Sequence, residues 1–129
     1  MEMRGLCSLR DIYRMIRDFE IRFQDEHNLC LNEGMLLCSL KSAKYSSSEI
    51  AELLGLSNSN ASKVIRLAES KGYVERLMGK DDKRQMYFVI TQSGLDKLSE
   101  IKCKNTVIDT MLDDIINKGQ LYTSTLTKG

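Results

Sequence analysis

From Leu9 the apolar positions fall at Leu9, Ile12, Tyr13, Ile16, Phe19 and Phe23, steps of three and four that place them on one helical face. The spacing predicts a long first helix over about residues 6–26. Asn32 is positioned to cap a second, short helix that carries Leu36, Leu37 and Leu40 towards Ala43 and ends at Tyr45 and the serines. Ser46 followed three residues later by Glu49 forms a capping box: the hydroxyl takes an orphan amide of the first turn and the carboxylate reaches back to the cap. The third helix so started turns Ile50, Leu53 and Leu54 inward and stops at Gly55. Ser57 caps a fourth, running to Lys71 and closed by Gly72. Two helices joined by a tight glycine turn give a helix-turn-helix outline.

After Gly72 the period changes. Tyr73, Val74 and Leu77, then Met86–Ile90, are strand-type residues separated by the polar run Gly79–Arg84, which predicts a β-hairpin with a charged tip. Thr91 caps a helix through Leu95, Leu98 and Ile101. Val107, Ile108, Met111, Leu112, Ile115 and Ile116 form one more helical stripe, and the Thr/Ser/Gly-rich tail after Lys118 is expected to fray. With no proline and no internal repeat, these boundaries rest on caps, glycines and changes of period alone.

The 129 residues suit one domain, and 42% hydrophobic with 29% charged residues is the composition of a folding globular chain. The net charge of +1 excludes a polycation that coats nucleic acid or membrane indiscriminately, so any basic surface must be local. Residues 57–84 hold seven basic groups against four acidic ones, a local +3, whereas residues 1–56 carry −2 and residues 85–129 are neutral. The longest apolar runs fall far short of the roughly 20 residues that span a bilayer, and the N-terminus lacks the apolar stretch of a secretory signal. Cys7, Cys30, Cys38 and Cys103 are irregularly spaced and form no CxxC pair, as expected of free thiols in a reducing cytoplasm. A single histidine, His27, removes most metal and nucleophile chemistry, and no phosphate-cradling or nucleophile-elbow motif implies a cofactor or a catalytic site.

On the fourth helix Ala61, Val64, Ile65 and Ala68 share one face, leaving Asn58, Ser59, Asn60, Ser62, Lys63 and Arg66 for the others. Asparagine bonds adenine bidentately, lysine reaches guanine acceptors or phosphate, and serine bonds many base and phosphate atoms, which is the chemistry of a major-groove helix. The same pattern also suits a plain solvated amphipathic helix. The neighbouring basic excess and the hairpin tip, with Lys80, Asp82, Lys83 and Arg84, favour a nucleic-acid contact.

The run Leu54-Gly55-Leu56-Ser57-Asn58-Ser59-Asn60-Ala61-Ser62-Lys63, with Glu69-Ser70-Lys71-Gly72-Tyr73-Val74-Glu75-Arg76, Asp82-Lys83-Arg84 and Ile90-Thr91-Gln92-Ser93-Gly94, resembles the MarR-type winged-helix transcriptional regulators. The spacing matches without a gap from Leu54 to Gly94. The resemblance implies a mainly α fold with a small antiparallel β-hairpin wing, a winged helix-turn-helix, in which residues 31–94 form the DNA-binding lobe and residues 6–28 and 95–118 the dimerising helices of a single 1–129 domain. It implies that Asn60, Ser62 and Lys63 enter the major groove and Arg84 the minor groove, oriented by Asp82. It further implies a homodimer on palindromic double-stranded DNA, acting as a repressor, with release by a small aromatic effector or by oxidation, for which Cys7 at the start of the first helix is the candidate thiol. Asn60-Ala61, Lys63 and Ala68 depart from the more usual Thr-Val, arginine and leucine, so the target sequence does not transfer from relatives.

The expectation is therefore a cytoplasmic DNA-binding regulator that is not an enzyme and engages no membrane. The alternatives are a winged helix serving protein contact or plasmid-type replication, and a small metal enzyme built on Asp81 and Asp82, adjacent carboxylates for which the sequence offers no third ligand.

Overall fold

The computed structural model of the chain describes residues 3–81, 84–103, 109–110 and 112–117. Its elements are α1 (Met3–His27), α2 (Leu31–Leu40), α3 (Ser47–Leu54), α4 (Asn58–Ser70), β1 (Val74–Met78), β2 (Met86–Ile90) and α5 (Gln92–Cys103). Residues 109–110 and 112–117 are helical as well; Val107, Ile108 and Met111 of the last apolar stripe, and the tail, lie outside the described residues. The chain divides into two units, residues 1–27 with 104–129, and residues 28–103.

In the first unit, α1 carries Phe19 and Phe23 buried, with ring centroids 5.7 Å apart, and Phe23 lies 4.9 Å from the ring of His27. Nearer its start Leu6, Leu9 and Tyr13 are exposed, as are Leu112 and Ile116 in residues 112–117.

The second unit is a three-helix cluster with a hairpin and α5. Its core joins Leu29, Leu36, Leu37 and Leu40 to Ile50 and Ala51 of α3, to Ala61, Val64, Ile65 and Ala68 of α4, and to Val74, Phe88, Leu98 and Ile101. α4 packs against α2, α3 and β1, while α5 packs against α2 and β2. Burying the Leu, Ile, Val and Phe side chains of this set contributes about 1.5–3 kcal/mol each, so this apolar set, rather than helix propensity, holds α4 in place.

Most boundaries follow the local chemistry of the sequence. The Ser46 box is formed, with Glu49 N–H donating to Ser46 Oγ at 3.2 Å and Ser46 N–H to Glu49 Oε1 at 3.0 Å. Gly55, at φ 66°, and Gly72, at φ 79°, take the left-handed conformation that ends α3 and α4. Thr91 Oγ1 accepts from Gly94 N–H at 3.1 Å and caps α5. Gly94 is required for space: a Cβ there would collide with the Tyr73 carbonyl and lie 2.6 Å from Ile90.

Two expectations are corrected. α2 is capped by Cys30, not Asn32, which falls inside the first turn, because the Glu33 carboxylate accepts from Cys30 N–H at 3.1 Å and fixes the start there. Leu53 points outward, 52% exposed. Ile50, Ala51 and Leu54 share one arc of α3, and Leu53 lies about 100° round the helix from its middle.

β1 and β2 pair antiparallel from Val74↔Ile90 to Met78↔Met86. Tyr45, in the link between α2 and α3, adds a bridge on the far side of β2: Phe88 N–H donates to Tyr45 O at 2.8 Å and Tyr45 N–H to Phe88 O at 3.3 Å. Phe88 thereby spends both backbone groups on Tyr45. Opposite Arg76 it is a non-hydrogen-bonded pair, the kind whose side chains approach most closely.

Candidate nucleic-acid interface

The interface is built on α4. Ser57 is its N-cap, in extended conformation, with Oγ accepting from Asn60 N–H at 3.1 Å. Ahead of it the turn closes through Leu56 N–H to Ala51 O at 2.9 Å, which sets α3 and α4 as the two helices of a helix-turn-helix. Asn58, Ser59, Asn60, Lys63 and Arg66 are exposed and Ser62 is half-buried. At 100° per residue, Ser59 and Lys63 lie opposite the buried Ala61, Val64, Ile65 and Ala68, and Asn60 lies about 90° from the middle of that buried arc. Among the described residues the side chains of Asn58, Ser59, Asn60 and Lys63 make no hydrogen bond or ion pair, so their polar atoms are available to a partner.

Ser62 and Arg66 turn to the side. With Ile65, with Ser47 in the first turn of α3, and with Arg76, Met86 and Phe88 of the hairpin, they line a groove of about 440 Å³. Arg66 Nε donates to Ser62 O at 3.3 Å. At the hairpin, Gly79 N–H donates to Gln85 O at 2.8 Å and closes the tip; Lys80 and Arg84 are exposed, while Asp82 and Lys83 lie outside the described residues. Cys7 is an exposed thiol of α1, in the other unit.

The sequence reading missed how the C-terminal end of α4 is held. Lys71 Nζ donates to both oxygens of Glu33, at 3.0 and 3.1 Å, and to Asn28 O at 2.9 Å, and Glu33 is 1% exposed. Lys71 therefore counts towards the interior rather than the outer basic surface. Arg76 is also committed: its Nε and Nη2 donate to the two oxygens of Glu69 at 2.9 and 3.1 Å, and the guanidinium lies over the Phe88 ring at 5.7 Å. The Glu69 carboxylate holds the Arg76 proton affinity above its already high ordinary value. The available signal was an acid and a base seven residues apart across a glycine turn, which only the hairpin register makes meaningful.

A helix-turn-helix followed by an antiparallel wing defines a winged-helix domain. Residues 31–86 match the model of the MarR family. Solved structures agree over nearly the whole length. The transcriptional regulator BldR from Sulfolobus solfataricus is 22% identical with a TM-score of 0.76, covering 98% of this chain and 96% of that one. AbsC, a MarR family transcriptional regulator from Streptomyces coelicolor, is 18% identical with a TM-score of 0.76, covering 96% and 90%. MepR of S. aureus, solved as a DNA complex, is 17% identical with a TM-score of 0.74, covering 99% and 96%. At these identities the likeness establishes the fold. No curated protein matches the sequence. No described helix is long and apolar enough to cross a membrane.

Proposed function

We propose that this protein is a DNA-binding transcriptional regulator that reads a palindromic operator as a homodimer, and that its role is regulatory rather than enzymatic. The observation that carries the reading is the exposed surface of α4: among the described residues the Asn60 and Lys63 side chains make no hydrogen bond or ion pair, on a helix backed by four buried residues and flanked by a wing. Asn60 and Lys63 are assigned to base edges in the major groove, Asn58, Ser59, Ser62 and Arg66 to bases or the adjoining backbone, and the wing with Lys80, Asp82, Lys83 and Arg84 to the minor groove and its phosphates. MepR, in its DNA complex, supports the use of this fold on duplex DNA.

Dimerisation is assigned to the unit that holds α1 and residues 104–129. Leu6, Leu9, Tyr13, Leu112 and Ile116 expose apolar surface there, which a second copy would cover. Repression in the cytoplasm, and release by a small aromatic compound or by oxidation at the exposed Cys7, complete the proposal. The deciding experiment is selection of bound duplexes from a random DNA pool, with light scattering on the free protein. A palindromic consensus bound by a dimer is expected; an unenriched pool would defeat DNA reading and leave a protein-contact role for the winged helix.

A further inference from the structure

Besides its outward face, α4 carries a second polar stripe. Ser62, Arg66 and Glu69 fall within about 60° of one another round the helix, on the side that fronts the hairpin. Ser62 and Arg66 share their groove with Arg76, Met86 and Phe88, and Glu69, one turn further on, receives the Arg76 guanidinium with both oxygens. Arg76 is thus gripped twice, in the fork-to-carboxylate geometry that fixes direction as well as distance, and by the Phe88 ring beneath it. Glu69 lies in the last turn of α4, and Arg76 is the third residue of β1. The chain between them is the short corner at Lys71, Gly72 and Tyr73, where the reading helix hands over to the wing. A swing of the hairpin about that corner would pull the guanidinium off the carboxylate.

The Arg76 side chain is about half exposed, at 52%, and pairs of this exposure add little to folding stability. The effect of the pair is therefore sought in geometry and charge. We propose that Glu69 is a positioning residue for DNA reading: by holding Arg76 against Phe88 it presents helix and wing to the duplex in one mutual setting, and it keeps that guanidinium off the phosphate backbone. The role rests on the DNA-reading assignment above. It makes Glu69, an acidic residue on a DNA-facing helix, a determinant of selectivity rather than a residual repulsion.

The test compares wild type, Glu69→Gln and Arg76→Gln on two duplexes of equal length, the one selected from the random pool and a scrambled version, across a range of salt. For Glu69→Gln, Arg76 is released to phosphate: the preference for the selected duplex narrows about tenfold, and binding to the scrambled duplex strengthens, with a salt dependence steeper by about one unit. The melting temperature stays within about 3 °C of wild type. Arg76→Gln loses the same grip without freeing a charge, so the preference narrows and the slope does not steepen; it also keeps the question decidable if Glu69→Gln melts early. Unchanged preference and slope in Glu69→Gln would overturn the role. So would equal weakening on both duplexes with a fall in melting temperature, which is what plain structural support produces. A wild type that selects no duplex defeats the DNA-reading assignment and this role with it, whereas a selective wild type and an equally selective Glu69→Gln defeat the role alone.

Discussion

The two ends of α4 are built on opposite plans. At the N-terminal end the link to the rest of the chain is backbone chemistry, the Ser57 cap and the Gly55 turn, and the side chains of Asn58, Ser59, Asn60 and Lys63 are left to solvent. At the C-terminal end the side chains themselves are tied: Lys71 to Glu33 and Asn28, Glu69 to Arg76. Burying Glu33 is costly, and the cost is offset only because its carboxylate meets Lys71 and the Cys30 N–H together. Under the proposed function, the difference separates anchoring from reading. Residues that meet a partner can change without disturbing those that hold the helix, and the positive end of the helix dipole is the end left open to an anion.

The largest test of this contrast is Lys71→Met, which leaves Glu33 buried without its cation. A loss of about 3 kcal/mol is expected, roughly 10 °C in a thermal melt, and an unchanged melt would mean the C-terminal end is not anchored this way. Replacing both Asn60 and Lys63 by Ala should do the reverse. Selected DNA loses about 1–3 kcal/mol of binding for each base contact removed, read by titration against the scrambled duplex, while the melt shifts little because neither side chain is packed. Ser57→Ala sits between the two plans: loss of the cap costs about 1 kcal/mol of stability, and amide exchange should rise at Asn60 and Ala61 before it rises at Glu69.

The smallest effect is at α3, whose first turn supplies Ser47 to the groove. The Ser46 backbone N–H holds the Glu49 carboxyl below the usual carboxylate range, with help from the Ser46 side chain. A depressed folded-state value means the box contributes stability at neutral pH, a contribution that fades as pH falls below about 4.3 and through the lower folded value. Glu49→Gln should therefore show a slightly smaller difference between melts at pH 7 and pH 3 than wild type does.

Where a residue type that favours caps or turns decided the outcome, the sequence was enough. Ser46 with Glu49, Gly55, Ser57, Gly72 and Thr91 each set an element end within reach of a few neighbours, and the alternation after Gly72 set the hairpin. Cys30 escaped notice because cysteine is a poor cap by type and its position is fixed by Glu33 three residues on. Lys71 and Arg76 were counted as outer charge because their partners, 38 and seven residues away, are brought to them by packing and strand register. The exposure of Asn60 and Lys63 was legible from helical period. The groove shared by Ser47, Ser62, Arg66 and Arg76 was not, since it draws on three separate elements.

The bridge between Tyr45 and Phe88 also governs where the chain can be lengthened. Phe88 is buried and its backbone is committed to Tyr45, so one residue inserted between Phe88 and Thr91 would put β2 out of step and bring a neighbour of the opposite facing into the core. The Tyr45 bridge thus grips β2 at Phe88, away from the tip that the Gly79–Gln85 bond closes. Insertions and deletions are thus expected to be tolerated at the tip and rejected at the root, which lets the reach of the wing be retuned while the reading helix keeps its place.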